Sequence, residues 1–243
     1  MKSNYIIWHI FHSGVAIYNK KSFTMHIFDY YKDPREIMPD IIYNIKELKN
    51  INIYCSHGHQ DHYNQEIFQW NLNNYQTNFI MSLDLKDKIS NKTKENNNIH
   101  FIKNGEELNT NDLHIKAYPS TDLGISIHVK EGDSTIFHGG DLNWWDWNSF
   151  NKEEKLKEEN DFKNAVNKIK KENIEIACIA LDPRLDDSFH LGLAYFNSIV
   201  KPKYIVPLHF KSDYDVIRRY NNLKKENNIL PFSEAGDKIS IIE

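Results

Sequence analysis

Two kinds of hydrophobic pattern divide the chain. Up to about residue 140, apolar residues alternate with polar ones or run together in short stretches of β type: YIIWHIF, VAIYN, FTMHIFDYY, INIYCS, NFIMS, NIHFIK, LHIKAYPS, GISIHVK and STIFHGG. A short polar turn separates VAIYN from FTMHIF, and KEGD separates GISIHVK from STIFHGG, so both pairs predict hairpins. Helical spacing is clearest over 151–171 and 213–227, with shorter helices predicted over 39–49, 64–71 and 191–200. After residue 172 the order becomes strand (IEIACIAL), helix (LGLAYFNSIV), strand (YIVPLHF), helix and a last strand (KISII). No Pro/Gly/Ser-rich linker and no internal repeat interrupts this series, so a single α/β domain over 1–243 is expected. Two mixed sheets packed face to face, with helices outside, would use hairpin strands and crossover strands in one core.

Composition narrows the picture. A hydrophobic content of 40% over 243 residues suffices for a sizeable core. With 34 acidic and 30 basic residues, the net charge of -4 supplies no field to hold a polyanion, so nucleic acid is not favoured. Cys55 and Cys178 both lie in apolar runs, which points to buried thiols and a reducing cytoplasm. The opening MKSNYIIWHIFHSG is broken by His9 and His12 and is not read as a signal peptide. No stretch approaches the roughly 18 apolar residues of a membrane span, so no membrane association is expected. The tract NKTKENNNIH shares the Asn, Lys and Ile richness of the whole chain and is read as compositional bias.

Chemistry concentrates in HGHQDH, residues 57–62, directly after the strand INIYCS. His57, His59, Asp61 and His62 crowd strong polar groups into one turn, where a divalent cation is the partner that satisfies all of them. Strand exits are common places for sites in α/β folds. Alternate residues His57 and His59 can point one way while Asp61 and His62 turn to a second point, a geometry suited to two cations.

This stretch resembles the His-x-His-x-Asp-His signature of the metallo-β-lactamase superfamily, and later landmarks follow in the same order. STIFHGGD is similar to that superfamily's strand ending in a metal-bridging aspartate, here Asp141, and YIVPLHF to its strand ending in the last ligand, here His209. The resemblance spans roughly residues 5 to 243 and implies a four-layer αββα sandwich and a hydrolase with one or two bound metal ions. One departure stands out. Where the superfamily has another histidine in a Gly-His-Thr type loop, this chain reads YPSTDLGIS, and of Ser120, Thr121 and Asp122 only the Asp122 carboxylate is a common zinc ligand. The implied ligands are therefore His57, His59, Asp61, His62, Asp122, Asp141 and His209, with the set Asp61, His62, Asp141 and His209 complete. Zinc fits this donor mix first, and manganese or iron accepts the same ligands.

Within the superfamily, HIFHSGVAIY, STDLGISI, GGDLNWWDW and DPRLDDSFHLG look most like uncharacterised bacterial hydrolases related to ascorbate-6-phosphate lactonase. That resemblance suggests catalytic roles for His12 and His190 beside Asp61. Arg184 follows the strand IEIACIALD, where a loop could reach a substrate anion, and Trp144 and Trp145 are suited to walling a pocket. A cation lowers the pKa of bound water from 15.7 to about 7 and so creates hydroxide at neutral pH, which Asp61 could orient. The expected function is metal-dependent hydrolysis of a small-molecule ester, lactone or phosphoester. The alternatives are a phosphodiesterase or nuclease of the same fold, and a non-enzymatic metal- or ligand-binding protein with a degenerate site. Self-association into a homo-oligomer is left open.

Overall fold

Continuous apolar runs make the buried strands, and where they are all-apolar the strands are parallel. A computed structural model describes residues 3–110 and 112–242. The chain divides into two compact units, one of Met1–Ile102 with Phe232–Glu243 and one of Lys103–Pro231. The first contains β1 (Ser3–Phe11), β2 (Gly14–Asn19), β3 (Thr24–Phe28), α1 (Asp40–Tyr43), β4 (Asn50–Cys55), β5 (Gln76–Ser82), α2 (Asn91–Asn96) and β6 (Ile99–Ile102). The second contains β7 (Glu107–Asn109), β8 (Leu113–Pro119), β9 (Ile125–Glu131), β10 (Ser134–His138), α3 (Lys152–Ile169), β11 (Ile176–Ala180), α4 (Leu191–Val200), β12 (Tyr204–Leu208) and α5 (Asp215–Lys224). The last strand, β13 (Lys238–Ile242), returns to the first unit.

The described residues form two mixed sheets, ordered β13-β1-β2-β3-β4-β5-β6 and β12-β11-β10-β9-β8-β7. In the first, β13, β1, β2 and β3 pair antiparallel and β3 to β6 pair parallel. In the second, β7 to β10 are antiparallel and β10, β11 and β12 parallel. Both expected hairpins, β2-β3 and β9-β10, are present. The parallel strands IACIA and YIVPL are buried along almost their whole length, as strands covered on both faces must be.

In the first unit one sheet face, with Ala16, Met25, Ile27, Ile51, Ile53, Phe79 and Met81, packs with Met38, Ile42, Leu48, Ile67, Trp70 and Leu85 from the connections. In the second unit α3 starts at a capping box, Asn151 with Glu154, and buries Phe162, Ala165, Val166 and Ile169. The helix α4 buries Leu193, Phe196 and Val200 at helical spacing, with Phe196 stacked on Phe137 of β10.

Three elements differ from expectation. The helix predicted over 39–49 stops at Tyr43, because Lys49 already joins the sheet through its N–H to Phe23 O while Leu48 is buried in the core. The segment 64–71 makes only a 3-10 turn, Gln65–Phe68, capped by the Asn64 side chain on Glu66 N. The tract read as compositional bias contains α2, which buries nothing and so carries no amphipathic signal.

Candidate metal centre

In the first unit the strands β3 and β4 run parallel and end side by side, and both chain exits carry polar residues. Asp29 leaves β3 with φ 45°, fully buried, and its N–H still bonds Tyr54 O. The exit of β4 wraps around that carboxylate: Ser56 N donates to Asp29 Oδ1 at 2.7 Å, Ser56 Oγ donates to Oδ2 at 2.7 Å, and His62 Nδ1 donates to Oδ2 at 2.8 Å. Since the serine proton goes to Asp29, His57 Nδ1–H donates to Ser56 Oγ at 2.9 Å. Both buried imidazoles thus carry their proton on Nδ1, and coordination by either ring would use Nε2.

His57 Nε2 lies 3.0 Å from His59 Nδ1, near the ~3.3 Å expected of two nitrogens on one tetrahedral ion at ~2.0 Å bond lengths. His12, Asp61 and His62 form a second group whose ligand atoms lie within 4.8 Å of one another. His12 sits in the β1-β2 turn with φ 57°, and its Nε2 is 3.4 Å from Asp61 Oδ2. The His12 ring beside it, with His62 nearby, holds the Asp61 carboxyl well below the usual carboxylate range. The turn itself is clamped from several sides. Cys55 Sγ donates to His57 O and His62 O, Asp84 accepts from Gly58 N at 2.8 Å, and Lys88 Nζ donates to Gly58 O.

The second unit repeats the device on β10, β11 and β12. Asp182 follows β11, and His209 follows β12 with φ 69°. His209 Nδ1 donates to Asp182 Oδ2 at 2.9 Å, and its Nε2 is 3.2 Å from Asp141 Oδ1. Arg184 Nε adds bonds to both Asp182 oxygens at 2.9 and 3.0 Å. Burial pushes the Asp182 pKa up, but the bonds from His209 and Arg184 outweigh it and lower the value to about 2. For His209, burial favours the neutral ring, yet Asp141 and Asp182 together raise its pKa. Asp141 follows the Gly139-Gly140 turn, where Gly139 N donates to Cys178 O at 2.8 Å and Gly140 has φ 55°.

The structure separates the other expected residues. Trp145 meets His209 edge-on at 5.5 Å between ring centres and stacks at 1° on Trp147, whose ring carries the Arg184 guanidinium at 5.4 Å. Trp144 instead packs with Phe162 of α3 and Tyr195 of α4, with Lys163 over its ring. It serves helix packing because consecutive residues of this segment face opposite ways. His190 bonds Asp187 O within its own loop and feels the Lys224 charge. Asp122 is exposed, its charge felt by Glu158, and it joins no cluster of ligand atoms among the described residues. Its neighbour Thr121 is the loop residue that bonds the Asp141 segment.

Asp29, Ser56 and Asp182 were not singled out from the sequence. Their one signal is an acidic or hydroxyl residue in the first or second position after a buried strand, as in IFD, IYCS and IALD.

No protein-family model and no curated protein sequence matches this chain. Solved structures do. A metallo hydrolase of the archaeon Ignicoccus hospitalis, Igni18, superposes with a TM-score of 0.67 at 12% identity, covering 98% of this chain and 99% of that one. The metallo-β-lactamase fold protein YhfI of Bacillus subtilis gives 0.59 at 13% identity, covering 98% and 99%. The short form of human tRNase Z gives 0.55 at 12% identity, covering 98% and 100%. The chain therefore has the metallo-β-lactamase fold, an α/β architecture of two mixed sheets, as its sequence implied.

Proposed function

We propose that this protein is a metal-dependent hydrolase of a small ester, lactone or phosphoester. The observation that carries the reading is the fixing of Nδ1 on His62 and His209 by the buried carboxylates of Asp29 and Asp182. Carboxylate-histidine pairs of this kind orient an imidazole as a metal ligand and raise its basicity. The donor set of imidazole nitrogens and carboxylate oxygens fits a divalent cation, zinc first and manganese or iron after it. In the first unit Asp61 and His62 would contribute ligands to one ion and His57 and His59 to a second, and in the second unit Asp141 and His209 are the residues that would serve as ligands.

A bound cation supplies a water nucleophile at neutral pH and polarises the bond to be cleaved. The chain's own groups do the rest. Asp61, kept ionised beside His12, would orient the attacking water by accepting its hydrogen bond at the carboxylate. His12 Nε2 faces Asp61 Oδ2 at 3.4 Å and would steady that carboxylate. His209 must give up the proton that Asp141 and Asp182 favour before it can act as a ligand. Trp145, Trp147 and Arg184 offer an apolar wall with a cationic edge beside His209, suited to a ring-bearing or anionic substrate. Lactones come first among the substrates because of the resemblance to the ascorbate-6-phosphate lactonase group. Phosphodiester cleavage is the second reading, favoured by the fold shared with tRNase Z.

Elemental analysis of protein purified without chelator, with turnover of p-nitrophenyl acetate, dihydrocoumarin and bis(p-nitrophenyl) phosphate, tests both readings. One or two metal equivalents are expected, with hydrolysis lost in Asp61→Ala at unchanged circular dichroism. A chain that takes up neither zinc, manganese nor iron and turns over none of the three would overturn the assignment.

A further inference from the structure

The loop between β8 and β9 offers no histidine, yet it is tied to the segment that carries Asp141. Thr121 Oγ1 accepts the N–H of Asn143 at 2.9 Å, and its single proton is directed to Asn143 O at 2.7 Å, with Asp141 O at 3.2 Å. One hydroxyl therefore holds peptide groups on both sides of Leu142, a residue whose own N–H turns back to Gly139 O at 3.0 Å. On the other side of Asp141 the segment is pinned by Ser126 Oγ donating to Gly139 O at 2.8 Å and by Gly139 N donating to Cys178 O. The Asn143 side chain is buried against α4, where a Cβ at Gly192 would come within 2.1 Å of Asn143 Oδ1. The segment 139–143 is thus held at both ends, and Thr121 supplies the hold on the carboxyl-terminal side.

We infer that Thr121 is a positioning residue for Asp141, its hydroxyl fixing the peptide groups of residues 141 and 143 and so the direction of the Asp141 carboxylate toward His209. Asp141 Oδ1 lies 3.2 Å from His209 Nε2, and a turn of the 141–142 peptide would swing that oxygen away. Valine has the shape of threonine without the hydroxyl, so it removes the three contacts at nearly constant volume. Serine keeps them. The inference rests on Asp141 and His209 being metal ligands, as proposed above.

The test is the affinity of the full chain for zinc and for manganese, each measured by competition with a chelating dye, in wild type, Thr121→Val and Thr121→Ser. Loss of a group that orients a ligand costs about 10- to 100-fold in metal affinity. Thr121→Val is expected to weaken binding at least tenfold and Thr121→Ser to restore it to within about threefold of wild type. Equal affinity in wild type and Thr121→Val overturns the proposal alone, as does a Thr121→Ser chain as weak as the valine variant, since the methyl group would then matter rather than the hydroxyl. A wild-type chain that binds neither ion sinks the metal reading and this inference with it. If Thr121→Val does not fold, hydrogen exchange at the Asn143 amide of the wild-type chain decides. Slow exchange that quickens in Thr121→Ala supports the hydroxyl lock, and exchange as fast as an open loop amide in wild type refutes it.

Discussion

The two units carry the same device in different surroundings. Each places an aspartate within two residues of one strand's end and lets it accept from a histidine that follows the neighbouring parallel strand: Asp29 with His62, and Asp182 with His209. In the first unit the carboxylate is completely enclosed and accepts from Ser56 N, Ser56 Oγ and His62. In the second, the carboxylate is shared between His209 and Arg184, whose side chain is 53% exposed. One half is therefore a hydrogen-bonded knot inside the protein, and the other an ion-pair cluster that reaches solvent. Both carboxylates are fully buried, but one accepts from serine groups beside its histidine and the other from an exposed arginine, so the two pairs should fail differently.

The largest effect separates them directly. Asp29→Ala leaves His62 Nδ1, Ser56 N and Ser56 Oγ buried without their acceptor, and truncating one member of such a buried set costs about 3–5 kcal/mol. Asp182→Ala should cost less, because water can solvate the released guanidinium and His209 Nδ1 is the one buried side-chain donor named here that loses its acceptor. Urea unfolding of the metal-free variants measures both, and equal losses would erase the distinction drawn here.

A smaller effect appears in the pH dependence of the metal-free chain. Asp182, lowered to about 2, adds stability that is present above its unfolded value of about 3.9 and is lost as pH falls toward 2. His209, raised, adds stability that is present below about 6.5 and is lost as pH climbs through its folded value. The pair thus stabilises most between about pH 4 and 6.5. The urea midpoint of wild type relative to Asp182→Asn should peak there, and a flat difference would show that the pair is not charged as drawn. Metal affinity should run the other way and rise with pH as His209 loses its proton.

Two modest changes complete the comparison. Cys55→Ala removes weak donors to His57 O and His62 O and is expected to lower stability by about 1 kcal/mol, read from the same unfolding curves. Asp122→Ala, at an exposed position, is expected to leave zinc affinity within about twofold of wild type. A tenfold loss would restore that carboxylate as a ligand.

The sequence by itself determined the fold class and most of the strand framework. HGHQDH is legible because its donors lie within six positions, where the exit of a single strand sets their relative places whatever the rest of the chain does. Strands such as INIYC and IACIA, and the helices α3, α4 and α5, announced themselves through burial that follows a regular period. The three-residue β7 and the helix α2, which buries no residue, had no period to show. Tertiary structure alone decided which groups fix the histidine protons. Asp29 is 33 residues from His62, and Asp182 is 27 from His209. Each pair meets only because β3 lies beside β4 and β11 beside β12. The same holds in the loop 120–124, where composition nominated Asp122 and the fold turned Thr121 inward. Local spacing can specify what one turn presents, whereas hydrogen bonds across neighbouring strands depend on sheet order, which no single segment encodes.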